Sequence, residues 1–395
     1  VSGTVRHAQE AWQLIQSWRL SLTDATFRYN SDSTAFFEWA SRFEAKCMEK
    51  GWLSLARLSD ELQRSILAGD LPTPAELMLI GFDELTPQQQ CLFQTLVESD
   101  CDVRWMHLAG KESKKTRIGC VDVRQEATTM ARWVRQRIDE NPETLIGVVV
   151  PELASQRDIV IHALDEILVP HALQPGHQYL ERPFNISLGP PLSTYPIIST
   201  ACKLLGLLAP TISLEDAGRL LRSPFIAGWE REASTRALLD GRLRETGELN
   251  VALETLRYHA SQINKPYSCP LLAENIDAWI KAARECSRTD SPGQWSERFA
   301  RLLKAIGWAS GRALSSEEYQ AAEAWRELLG TFASLEPVTE PMAASTAVAQ
   351  LRRMAGERTF QPQTGAVPVQ VLGMLEASGL EFDSLWIMGL HDGAW

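Results

Sequence analysis

The sequence predicts an α/β protein whose parallel strands are interrupted by a large all-helical insertion. Three observations lead there. Short apolar runs alternate with helical patterns between Pro74 and about Leu168, strand signals then vanish from about Leu192 to Gly356, and two strand-like runs return at the end. Alternating strand and helix implies parallel pairing. Two terminal strands are too few to form a sheet alone, so they must pair with strands made before the helical block.

Taken in order, the chain opens on helical spacing: Trp12, Ile15 and Trp18, then Phe36, Phe37, Trp39 and Phe43, then Leu53, Leu55 and Leu58. Apolar stripes of this kind bury against a core, so these side chains are expected inside rather than as a base-stacking platform. ELMLIGF reads as a strand, LTPQQQCLFQTLVES as a helix opened by Thr86 and Pro87, and DVRWMHLA as a second strand. EATTMARWVRQRIDE places Ala127, Met130, Val134 and Ile138 on one helical face. TLIGVVV is the continuous apolar run of a strand buried on both faces, and a helix follows from about Ser155 to Leu168. In the block, helical patterns succeed one another from YPIISTACKLLGLL to STAVAQLRRMAG, punctuated by Pro, Gly and Ser. VPVQVLGM and SLWIMGL then resume the strands, and both are expected in one parallel sheet with TLIGVVV. No internal repeat or low-complexity tract is visible.

Composition narrows the function classes. A chain of 395 residues with 45% hydrophobic content buries a large core and divides into two or three domains. The net charge of -11 gives no basic footprint over the whole chain, so nucleic-acid contact has to come from local patches. The seven cysteines (Cys47, Cys91, Cys101, Cys120, Cys202, Cys269, Cys286) are scattered and never form a CxxC pair, which predicts reduced core thiols and a cytoplasmic setting. The most apolar stretch, PIISTACKLLGLLAP, is interrupted by Lys203 and bounded by prolines, so no membrane insertion is expected. Val1 in place of methionine, and an end inside an apolar pattern, predict a piece of a longer protein.

VQVLGMLEASGLEFDSLWIMGL resembles the late-motif segment of UvrD/RecB-type superfamily 1 helicases. There a strand runs into Thr-x-His-x-x-Lys-Gly-Leu-Glu-Phe before a second strand. Here Gly373 stands at the threonine, Leu375 at the histidine and Ser378 at the lysine, while Gly379, Leu380, Glu381 and Phe382 match. LMLIGFDELTPQQQ resembles the family's Walker B strand. Counting back from Gln90 puts Gly81 at the Mg²⁺-binding aspartate and Phe82 at the water-orienting glutamate. A register shifted by two residues would instead use Asp83 and Glu84, at the cost of the match to Gln90. IGVVVPELASQRDIVIHALDE resembles the strand that ends in an arginine, with Pro151 replacing the first arginine and Arg157 matching the second. The losses fall on polar positions, and phosphoryl transfer depends on such groups for positioning and charge stabilisation.

This pattern resembles the AddB-like proteins and a related family of bacterial DNA-repair proteins, in which a helicase fold lacking a full ATPase site precedes a PD-(D/E)XK nuclease. IGFDELTPQQQ, ERPFNISLGPPLSTYPIISTACKLLGLL and LLRSPFIAG are similar to interior segments of the second family, and the resemblance covers most of residues 70–395. It implies RecA-like (P-loop helicase-type) parallel-sheet domains with a large all-helical insertion. Residues 1–120 would be the remnant of the first such domain with N-terminal helices, 121–191 the first part of the second, 192–356 the insertion, and 357–395 the second domain's last strands. It also places the phosphate-binding loop before Val1 and the nuclease after Trp395. No GxxxxGK[ST] occurs in the chain, and AGKES around Lys111 lacks the spacing of a phosphate cradle.

The implied function is a non-catalytic, degenerate helicase-like module that binds DNA and scaffolds a repair or end-processing nuclease. The alternatives are part of an active ATP-dependent translocase and a purely protein-binding scaffold. DNA binding, weak in isolation, would use Lys111, Lys114, Lys115 and Arg117, or Arg352, Arg353 and Arg358. The implied protein partner is a RecB/AddA-like helicase-nuclease subunit. No cofactor is expected in this chain, and Mg²⁺ only in the nuclease domain. Asp102, Glu112 and Lys114 have the residue types of a metal-dependent nuclease, but KESKK reads as a solvated loop. His162, His171 and His177 fit no metal-ligand spacing, and no nucleophile motif such as GxSxG occurs.

Overall fold

The computed structural model describes every residue except 1, 23–26, 28, 83, 107–112, 175–181, 364, 366 and 394–395. The chain divides into two compact units, Val1–Ile118 with Ser378–Glu381, and Gly119–Ala377 with Phe382–Trp395.

The first unit contains α1 (Ser2–Ser17), α2 (Ser31–Lys50), α3 (Leu58–Ala68), β1 (Glu76–Ile80), α4 (Pro87–Glu98) and β2 (Asp102–Met106). β1 and β2 pair in parallel with Glu76 opposite Asp102, and α4 is the crossover between them. Thr86 and Gln89 close a capping box at the start of α4, with Pro87 in its first turn. The adjacent Gln88 is buried and donates to Ala56 O at 2.9 Å and Asp60 Oδ2 at 2.7 Å, which docks α4 on α3.

The aromatic stripe is only partly a core. Trp12 and Ile15 are buried, whereas Trp18, Trp39, Phe43, Leu53, Leu55 and Leu58 are exposed, Trp18 by 54%. The reason is packing. Helical spacing makes an apolar stripe, but burial needs a neighbour on that side, and α2 buries only Ala40 and Cys47.

The second unit begins with α5 (Val123–Glu140), β3 (Ile146–Val149), α6 (Leu153–Leu168) and β4 (Phe184–Ile186). The helical block follows: α7 (Pro196–Gly206), β5 (Thr211–Ser213), α8 (Leu214–Leu221), α9 (Trp229–Glu245), β6 (Asn250–Ala252), α10 (Leu253–Ala260), α11 (Pro270–Arg284), β7 (Thr289–Asp290), α12 (Pro292–Ala305), α13 (Ser316–Ala333), β8 (Met342–Ala343) and α14 (Ala344–Glu357). β9 (Val369–Leu372), α15 (Met374–Ala377) and β10 (Ser384–Ile387) complete it.

β10, β3, β9 and β4 form, in that order, one parallel sheet. The terminal strands therefore flank β3 on both sides, as the sequence pattern requires. Ala127, Met130 and Val134 of α5, with Val160 and Leu164 of α6, pack on Ile146, Val148, Val369 and Val371 in one core. β10 is an edge strand with Leu385 and Ile387 exposed, so SLWIMGL is half-buried rather than enclosed.

The block is not all-helical. β5 pairs antiparallel with β6, and β7 with β8. Each of these strands feeds straight into a helix: Ser213 caps α8, Ala252 precedes α10, Ser291 after β7 caps α12, and Ala343 precedes α14. An N-cap residue is extended by nature, so two such entries can pair across a short ladder. Two or three residues are too few to show strand periodicity. The block's own core centres on Trp295, Phe299, Trp325 and Phe332, with the rings of Trp295 and Phe299 stacked at 5.4 Å.

Candidate functional site

Open parallel sheets bind ligands at the carboxyl ends of their strands, where loops leave the sheet and backbone groups are free. In the second unit that edge is built from 150–152 after β3, 187–189 after β4, 373–376 after β9 and 388–390 after β10. None of these residues is lysine or arginine. Val150 N–H donates to Leu372 O at 2.8 Å, which carries the ladder one residue past β3 and delivers Pro151 to the turn that opens α6. Proline suits this turn, because its missing N–H lies where a helix start has spare donors. Gly373 follows β9, and the Glu376 carboxylate of α15 occupies the space that a side chain at 373 would need. Gly389 N–H donates to Glu126 Oε1 at 3.0 Å, and Glu152 accepts from Gln156 Nε2 at 3.3 Å. This edge carries carboxylates and hydrophobic caps, the opposite of what holds a phosphate.

Arg157 lies on α6 and donates through Nε to Leu188 O at 3.0 Å, a bond that ties the segment after β4 to the helix. Leu375 is 88% exposed. The remaining helicase-motif positions, Gly81, Phe82, Ser378, Gly379 and Glu381, belong to the first unit. Gly81 has φ +74 and Gly379 φ +78, the left-handed region that glycine tolerates. Phe82 is exposed and meets Phe93 of α4 edge to face, with centroids 6.2 Å apart, so an aromatic ring stands at this position. Asp83, one half of the shifted carboxylate pair, lies outside the described residues; Glu84 is exposed. Gln90 donates to Leu85 O at 3.2 Å.

The two basic patches differ. Lys114, Lys115 and Arg117 sit exposed in the irregular stretch before α5, while Lys111 lies outside the described residues. Arg352 donates to Cys202 O at 2.7 Å, and Arg358 donates to Ala324 O at 3.0 Å and pairs with Glu327 at 2.5 Å. Among the described residues, only Arg353 of that set has no partner. Asp102 pairs with Arg104, Glu112 and His177 lie outside the described residues, and no group of three metal-ligating side chains occurs among those described.

No family model matches the chain, and no curated protein matches it. Among the described residues no helix is long and apolar enough to cross a membrane.

Two features escaped the sequence. Glu232 and Arg236 stand one helical turn apart on α9, both buried, and the Glu232 carboxylate also accepts from Leu271 N–H at 2.7 Å and Leu272 N–H at 3.1 Å. Burial pulls the Arg236 pKa down, and the ion pair with Glu232 opposes this. The spacing is visible in the sequence; the burial is not. The second feature is a cleft of about 420 Å³ where the block joins the sheet, lined by Arg157, Arg182, Asn185, Tyr195, Glu317 and Gln363 among others. Arg182 is neutralised by a two-point pair with the buried Asp165 at 2.7 and 2.9 Å. Burial, then the nearby Glu317 charge, pushes the Tyr195 hydroxyl up to about 12.

Proposed function

We propose that the chain is a non-catalytic, degenerate helicase-like module with RecA-like architecture, which binds DNA weakly and scaffolds a DNA repair or end-processing nuclease. One observation carries this reading. The strand ends where a helicase of this class would present cations and hydroxyls to phosphate instead present Pro151 and Gly373 beside Glu126, Glu152 and Glu376. The parallel order of the sheet, and the helical block inserted between β4 and β9, support the same reading. So do the positions aligned with Walker B. A glycine at 81 and a phenylalanine at 82 neither hold Mg²⁺ nor orient water, so these residues do not fit the metal and no hydrolytic step runs through them. The partner in this reading is a RecB/AddA-like helicase-nuclease subunit, and Mg²⁺ belongs to a nuclease domain outside this chain.

DNA contact then rests on Lys114, Lys115 and Arg117, because Arg352 and Arg358 are spent on internal bonds. The test pairs two measurements on the full-length protein. ATP turnover with and without single-stranded DNA is expected at background. Anisotropy of a labelled forked DNA is expected to show weak binding that falls steeply with salt, as counterion release requires. Replacing Lys114, Lys115 and Arg117 by glutamine should weaken binding and flatten its salt dependence. DNA-stimulated turnover that disappears with Asp83→Asn or Glu84→Gln would establish the active translocase instead. No DNA affinity at low salt would leave a protein-binding scaffold.

A further inference from the structure

We propose that the cleft beside β4 binds an extended segment of a partner protein, which adds to the sheet as a fifth strand and carries an acidic and a basic residue two positions apart. β4 ends the sheet, with no strand beyond it among the described residues. Val369 N–H donates to Pro183 O, and Ser187 N–H donates to Val371 O. Residues alternate sides along a parallel ladder, so the N–H and C=O of Phe184 and Ile186 point away from β9, toward the cleft that these residues line. Those groups make no hydrogen bond among the described residues. An unpaired strand edge is a template for another strand.

The charged groups select the occupant. Arg157 uses Nε on Leu188 O, and among the described residues its terminal nitrogens have only the solvent-exposed Asp158, at 3.9 Å. Across the cleft Glu317 makes no hydrogen bond or ion pair among the described residues, and its charge also reaches Arg182, which Asp165 already pairs. Arg157 and Glu317 both line the one cleft together with Tyr195. The amides are already committed: Gln361 donates to Asn185 Oδ1 at 2.8 Å, and Gln363 N–H donates to Gln320 Oε1 at 2.6 Å. Among the described residues, what stays open is two backbone pairs, one cation and one anion. A phosphate would meet Glu317, and an apolar ligand would leave both charges unpaired. An extended peptide satisfies all four, with side chains at i and i+2 on one face. The volume of about 420 Å³ lies within the range of small-ligand sites, roughly 300–1,000 Å³, and suits a short segment. This inference stands apart from the DNA reading, since it does not use the basic loop.

The probe is fluorescein-labelled acetyl-Thr-Glu-Val-Lys-Thr-amide, titrated against the whole chain by anisotropy. Saturable binding is expected. Two versions N-methylated at alternate residues separate strand addition from charge attraction: one phase should abolish binding and the other leave it intact. Glu317→Gln, an exposed change that keeps the fold, should weaken the parent peptide about threefold and leave a Lys→Gln peptide unaffected. Arg157→Gln should do the same for the acidic position. The Phe184 and Ile186 amides should exchange more slowly when peptide is bound. No binding at millimolar peptide, or equal binding by both methylated phases, overturns the proposal.

Discussion

Glu232 and Arg236 show how much one residue can hold. The carboxylate pairs with a guanidinium that is fully out of solvent, and also accepts two N–H groups from the first turn of α11. Arg236 in turn donates to Ala227 O at 2.6 Å, so α9, the loop before it and the start of α11 meet at one ion pair. Removing one partner strands the other charge. Glu232→Gln should cost about 3–5 kcal/mol, because the buried guanidinium then lacks its counterion. The double change Glu232→Gln with Arg236→Met should cost less than the single one, since no charge is left uncompensated. Urea denaturation midpoints for the two variants check this, and a single variant that matches the parent would refute it. At this scale the sequence is legible for helix caps and faces: Thr86, Pro87 and the Ala127–Met130–Val134 stripe all behave as their spacing dictates. It is opaque for pairing. Asp165 and Arg182 meet only because β4 returns beside α6.

At the scale of elements, the insertion hangs on two chain crossings that touch backbone to backbone. Leu192 N–H donates to Arg358 O at 2.8 Å, and Phe360 N–H donates to Pro190 O at 3.1 Å. Gly189 allows this approach, because the Phe360 carbonyl fills the space of a Cβ there. Gly189→Ala should therefore lower stability by about 1–3 kcal/mol through overpacking and speed amide exchange at Leu192 and Phe360. Gly241→Ala is the control. It lies within α9 with open space around it, and should raise stability by about 0.5–1 kcal/mol. Opposite signs in melting experiments support this account of the crossings; equal shifts refute it. Long elements were legible because eleven or more residues of period 3.6 outweigh local noise. β4, at three residues, was not, and it owes its place to a partner distant in sequence. The cleft beside β4 was invisible for the same reason.

For the whole molecule, the sequence foretold the return of the terminal strands to β3, since apolar runs of that kind cannot stay unpaired. It did not foretell which stripes would find a neighbour, hence the exposed Trp18 and Trp39 of the first unit. The stretch 113–120 joins the two units with no regular structure and three exposed cations. Limited trypsin digestion should therefore cut first after Lys114, Lys115 or Arg117, giving two fragments that each resist further cleavage. First cuts inside the helical block would contradict this. The sheet has one more consequence, in time rather than space. β3 is buried along its whole length, yet Val369 follows its partner Ile146 by 223 residues, so at about 5–20 residues per second β3 waits roughly 10–45 s for either neighbour. Throughout that interval a growing chain displays its most apolar strand with both edges bare. Its yield in a cell should depend on what shelters that strand at the ribosome.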